Sequence, residues 1–155
     1  MTFLHETYSP EETFSVGQYY GERASAGEVV CLNGDLGVGK TVFVKGFAKG
    51  LGIPEHVVSP TFTIIRIYES GKLPMYHFDV YRIEDEDEME EVGYEEFFYG
   101  EGVTLIEWAS RIEDLIPEDA LRITIEKAPE KGFGYRRITV EGADAPEQRS
   151  SEESI

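Results

Sequence analysis

Apolar residues along this chain fall into short runs with two different periods, which predicts helices interleaved with strands. Val29-Val30-Cys31-Leu32 is a continuous apolar run with the length of a buried strand. Beyond it, Phe43, Val44, Phe47, Ala48 and Leu51 recur at the three-and-four spacing of a helix buried on one face. They predict a helix from Thr41 to about Leu51, ended by Gly52. Gly46 and Gly50 lie inside this pattern, where each costs about 1 kcal/mol against alanine, so both are predicted to pack closely on a neighbour. Upstream, Ser9-Pro10-Glu11-Glu12 has the form of a capped helix start, and Val16, Tyr20 and Ala24 continue it at four-residue intervals. Downstream, two alternating runs, Thr63 to Tyr68 and Met75 to Tyr81, flank Glu69-Ser70-Gly71-Lys72; this hairpin signature makes part of the sheet antiparallel. An acidic helix over Asp85 to Val92 is ended by Gly93, with Phe97 and Phe98 anchoring the next turn. A strand over Val103 to Glu107, a short helix after Trp108, and strands near Arg122 to Glu126 and Arg136 to Val140 complete an α/β domain. No internal repeat interrupts it.

Length and charge narrow the picture. The 155 residues suit one domain over 1–141, followed by an acidic, disordered tail over 142–155. No apolar run is long enough to span a bilayer, and no basic-then-apolar leader opens the chain, so a soluble protein without an export signal is expected. The single cysteine, Cys31, excludes an intramolecular disulfide and reads as a small buried hydrophobe. With 14 basic and 31 acidic residues the net charge is -17, which disfavours direct nucleic-acid binding. Seven of the eight residues from Glu84 to Glu91 are acidic; they read as a solvated surface, with docking on a basic partner as the functional alternative.

The link between the apolar strand and the next helix carries the chemistry. Gly34-Asp35-Leu36-Gly37-Val38-Gly39-Lys40-Thr41 reads G-x-x-x-x-G-K-T, a phosphate-binding loop in the strand-loop-helix setting that motif requires. Gly34, Gly37 and Gly39 let the backbone curl so that several N–H groups converge on one anion. Lys40 supplies charge to the β and γ phosphates, Thr41 offers a hydroxyl to Mg²⁺, and the following helix aims its positive end at the same phosphates. Hydrolysis further needs acids near the γ phosphate. Tyr76-His77-Phe78-Asp79 and Val103-Thr104-Leu105-Ile106-Glu107 each end an apolar strand in a carboxylate. Glu107 is taken as the acid nearest the metal and Asp79 as its companion, an assignment that can be reversed. His77 shares a strand face with Asp79 and reads better as a structural histidine than as its support. Thr61, after Ser59-Pro60, has the form of a switch hydroxyl and equally that of a turn before a strand. Asn33 is the sole asparagine, so the Asn-Lys-x-Asp guanine reader is missing and ATP is the expected nucleotide. Two other readings remain: a nucleotide-dependent binding switch with incidental hydrolysis, and a small-molecule kinase, which the scattered arginines disfavour.

Together with Ser59-Pro60-Thr61-Phe62, Tyr76-His77-Phe78-Asp79-Val80-Tyr81-Arg82, Gly93 and Ile106-Glu107-Trp108, the loop resembles the TsaE (YjeE) family in order and spacing, over about Ser9 to Val140. The resemblance implies a P-loop NTPase fold of three layers, with a mixed central sheet flanked by helices. It further implies a cytoplasmic, weak, partner-regulated, Mg²⁺-dependent ATPase that serves a TsaB–TsaD complex in forming N6-threonylcarbamoyladenosine (t6A). The modified tRNAs read codons beginning with A and are reached only through those partners. TsaD transfers the threonylcarbamoyl group, and the ATPase supports repeated turnover. Matched by position, Gly37, Val38, Gly39, Lys40, Thr41 and Val42 would hold the phosphates, Thr41 and Glu107 the metal, and Asp79 would join them in catalysis. Adenine contacts would come from Ser9, Pro10 and Glu11 and from Lys131-Gly132-Phe133-Gly134. Trp108 is left between a core role and a partner contact.

Overall fold

The computed structural model describes residues 2–60 and 64–142, so Thr61 and the tail beyond Gly142 lie outside the described residues. Seven strands join in one sheet: β1 (Thr2–Thr7), β2 (Val29–Asn33), β3 (Ile65–Tyr68), β4 (Met75–Asp79), β5 (Val103–Glu107), β6 (Leu121–Glu126) and β7 (Arg136–Glu141). Their order across the sheet is β1-β7-β6-β2-β5-β4-β3. The central strands β6, β2, β5 and β4 run parallel, and antiparallel partners close both edges. The expected hairpin is β3 and β4, paired from Ile65 with Phe78 to Tyr68 with Met75.

Strand alternation divides the core into two faces. Val30 and Leu32, with Leu105 and Ile123, meet Phe43, Val44 and Phe47 of α2 (Lys40–Gly50), and Tyr20 of α1 (Pro10–Glu22) joins the same cluster. Val29 and Cys31, with Phe78 and Ile106, meet Met89 of α3 (Asp87–Val92), Phe98 of α4 (Tyr94–Phe98) and Ile112 of a 3-10 segment, Ala109–Leu115. Helices therefore cover both faces of a mixed sheet, the α/β arrangement expected of a P-loop fold. Burial pushes the Cys31 thiol up to about 12, so this cysteine is an inert core residue. Among the described residues no helix is long and apolar enough to cross a membrane.

Some element ends differ from expectation: α1 stops at Glu22 rather than Ala24, and α3 starts at Asp87 rather than Asp85. The strand β1 was not expected at all; it pairs with β7 from Thr2 with Glu141 to Thr7 with Arg136.

The helix after the phosphate loop is held by glycine-mediated contact with α1. A Cβ at Gly46 would lie 2.0 Å from the Phe14 carbonyl oxygen, and one at Gly21 would lie 2.1 Å from that of Phe47. Gly17 faces the Phe43 carbonyl and Gly50 that of Gln18, so the two backbones touch along two turns. Gly46→Ala gains helix propensity yet forces the helices apart. Its expected result is a net loss of about 1–3 kcal/mol in urea unfolding. An unchanged or raised urea midpoint would show that this contact has room for a methyl group.

Candidate active site

Seven residues after Asn33, the chain has turned from β2 into α2, whose first residue is Lys40. The turn is braced within itself: Val38 N–H donates to the Asp35 carbonyl at 3.2 Å, and Phe43 N–H donates to that of Gly39 at 3.1 Å. Strand periodicity places the acids. Val103 and Leu105 face α2, so Glu107, two residues on, points to the same side; Met75, His77 and Asp79 repeat the pattern on β4. Parallel pairing sets Asp79 beside Glu107, and Glu107 beside Leu32, at the carboxyl ends of the strands where the phosphate loop opens.

Glu107 is only 4% exposed, and its two oxygens have different neighbours. Oε2 lies 2.7 Å from His77 Nε2, while Oε1 lies 3.9 Å from Lys40 Nζ. The Lys40 ammonium sits 4.0 Å over the Trp108 ring and finds no hydrogen-bond acceptor among the described residues. Burial pushes it below the ordinary lysine range, opposed by the carboxylates of Glu107, Asp79 and Asp35. Asp79 is half-buried, and its Oδ1 accepts the Tyr81 N–H at 3.0 Å. Trp108 itself occupies the left-handed region at φ 63°, an uncommon conformation for a bulky side chain.

Lys40, Asp79, Glu107 and Trp108 line one cavity of about 480 Å³, together with Leu36, Gly37, Gly39, Thr41, Val42, Ser59, Tyr81 and Arg82. Gly34 and Val38 instead line a second cavity that shares Leu36 and reaches Thr124 to Lys127. Ser9, Pro10, Glu11 and Phe133 line neither. Ser9 caps α1 by accepting the Glu12 N–H at 3.2 Å, Pro10 and Glu11 are exposed, and Phe133 is 99% exposed. Sequence reasoning missed two things here. His77 supports an acid, but Glu107 on the neighbouring strand rather than Asp79 on its own. Tyr81 and Arg82 reach the cavity although they lie beyond the end of β4. Their position just after Asp79 was the available signal.

Comparison with known proteins agrees with this architecture. The family described as "Threonylcarbamoyl adenosine biosynthesis protein TsaE" matches residues 7–138. The chain belongs to the TsaE family. It is 52% identical over 133 residues to the tRNA threonylcarbamoyladenosine biosynthesis protein TsaE of Bacillus subtilis, covering 86% of this chain and 81% of that one. It is 42% identical to the Treponema pallidum TsaE over 132 residues, 85% and 95% of the two chains. The crystal structure of Bacillus subtilis YdiB superposes with a TM-score of 0.82 at 41% identity, covering 99% of this chain and 95% of that one. As a TsaE member, the chain belongs to a family involved in t6A biosynthesis.

Proposed function

We propose that this TsaE chain binds ATP with Mg²⁺ and hydrolyses it to support repeated turnover of a cytoplasmic TsaB–TsaD complex that forms t6A on tRNA. The observation that carries the reading is the Lys40 ammonium, buried beneath a glycine-lined cavity without a hydrogen-bond acceptor among the described residues. A buried ammonium without a hydrogen-bond acceptor is costly even with a carboxylate oxygen 3.9 Å away, and a phosphate chain supplies the missing acceptors. Thr41 and Glu107 would hold Mg²⁺, a metal that keeps water and substrate phosphates among its ligands and so suits a site with few protein donors. When bound, the metal neutralises phosphate charge.

The protein groups act around that centre. His77 fixes the Glu107 carboxylate in place before any ligand arrives. Asp79 accepts the Tyr81 N–H with one oxygen and lines the cavity, where its carboxylate would orient the attacking water. The net charge of -17 keeps tRNA at a distance, so the tRNA is reached through the partners.

Phosphate release from ATP, measured on the chain alone and with TsaB and TsaD, tests the proposal. Stimulation of roughly tenfold or more by the pair is expected, a lower bound beneath the about 10³–10⁵-fold that a partner-supplied arginine contributes in related phosphoryl transfer. Normal ATP binding with no stimulation would refute coupled hydrolysis and favour the binding-switch reading.

A further inference from the structure

Arg136 opens β7, and β6 separates that strand from β2, yet its guanidinium reaches the phosphate loop. Arg136 Nε donates to the Val38 carbonyl at 2.7 Å, and Nη1 donates to the carbonyls of Tyr135 at 2.7 Å and Phe133 at 3.1 Å. One side chain thus ties the phosphate loop to the turn before β7. In a trans peptide the carbonyl and the following N–H point in opposite directions. Holding the Val38 oxygen toward Arg136 therefore turns the Gly39 N–H the other way. Two observations agree with that orientation: Gly39 lines the cavity that contains Lys40, whereas Val38 lines the second one. Gly39 sits at φ 111°, where no side chain opposes rotation of the peptide before it. A flipped peptide would present a carbonyl, not an N–H, to an incoming phosphate.

We infer that Arg136 is a positioning residue for phosphate binding, locking the Val38–Gly39 peptide with its N–H toward the nucleotide. The inference rests on the nucleotide reading above. It concerns a residue outside the loop motif, in a part of the chain that supplies no side chain to the cavity.

The test is calorimetric affinity for Mg-ADP, with unfolding midpoints, on the full chain and three variants. Arg136→Gln removes the charged donor and is expected to weaken ADP about tenfold, the equivalent of one charge-assisted hydrogen bond. Arg137→Gln removes the same charge one residue away and leaves the Val38 bond, so its affinity should stay within about twofold. Arg136→Lys keeps the charge on a single nitrogen without the planar fork, and an intermediate loss of roughly threefold is expected. The Gly39 amide resonance should shift on ADP addition in the unsubstituted chain and in Arg137→Gln, but not in Arg136→Gln. A merely structural role would not produce that difference. Unchanged affinity in Arg136→Gln, or an equal loss in Arg137→Gln, overturns the inference alone. Should Arg136→Gln fail to fold, unchanged affinity in Arg136→Lys overturns it instead. If the unsubstituted chain binds no ADP, the nucleotide reading itself falls, and the role of Arg136 falls with it.

Discussion

Lys40→Ala is expected to raise the dissociation constant for Mg-ATP on the order of 100-fold, about 2.7 kcal/mol of lost charge-assisted bonding. The reason lies in what surrounds the ammonium. Burial already disfavours its charged form, and among the described residues its surroundings are an indole face at 4.0 Å and a carboxylate oxygen at 3.9 Å. Phosphate oxygens would restore the hydrogen bonds that burial removed, so much of the binding energy should pass through this one group. Removing it costs the free protein little, because Glu107 keeps its bond to His77. The unfolding midpoint without nucleotide should therefore hold, and the nucleotide-dependent rise should disappear. At a ligand concentration about 100 times the dissociation constant, binding stabilises the fold by about 2.7 kcal/mol; a 100-fold weaker site retains about 0.4 kcal/mol at that concentration. Thermal unfolding with and without Mg-ATP reads the difference directly. An equal rise in both proteins would mean that nucleotide binds elsewhere, or that its phosphates do not meet Lys40.

How far each feature was legible depends on how local its cause is. The phosphate loop could be read because strand, turn and helix are consecutive, and the glycine pattern alone sets the curl between Leu32 and Lys40. Asp79 and Glu107 could be read as strand-ending acids. Their adjacency requires β4 to lie beside β5, and strand order is a tertiary fact that no spacing encodes. The same gap hid the partner of His77, whose carboxylate is 30 residues away. The strand β1 escaped notice because two of its inward positions are polar. His5 Nε2 meets the Tyr20 hydroxyl at 2.6 Å, and the Thr7 hydroxyl meets that of Thr13 at 2.8 Å, while Leu4 points outward and is 57% exposed. With His5 and Thr7 satisfied inside and Leu4 outside, Phe3 is the one apolar residue left inward, and the alternation that normally marks a strand is blurred. Close packing was expected at Gly46 and Gly50 from their helix cost. Their counterparts Gly17 and Gly21 on α1 gained a reason only when the two helices were seen together. The expected adenine contacts Ser9, Pro10, Glu11 and Phe133 came by family resemblance rather than from spacing, and they line neither of the two cavities at the phosphate loop.

Glu107 and Asp79 occupy adjacent strand ends, yet their surroundings differ enough to separate their expected roles. Glu107 is 4% exposed and fixed by His77, whereas Asp79 is half-buried and shares an oxygen with the Tyr81 N–H. A fixed, desolvated carboxylate suits a metal that needs a ligand already in position; a partly exposed one suits work on a water molecule. Glu107→Gln is therefore expected to lower the hydrolysis rate roughly 100-fold, with the ATP dissociation constant changed by no more than about threefold. Glutamine is the informative replacement because its carbonyl can still accept from His77. Alanine would strand His77 Nε2 and the Lys40 ammonium without their carboxylate, a loss of about 3 kcal/mol or more that would confuse folding with catalysis. Asp79→Asn should preserve the turn bond to Tyr81 and leave the Mg²⁺ dependence of ATP binding as it is, while slowing the single-turnover rate. Titrating Mg²⁺ at fixed ATP for both variants distinguishes the roles. Glu107→Gln should need more metal for half-maximal binding, and Asp79→Asn should not. If the metal requirement shifts only in Asp79→Asn, the roles are exchanged: Asp79 holds the ion, and the buried Glu107–His77 pair serves the water.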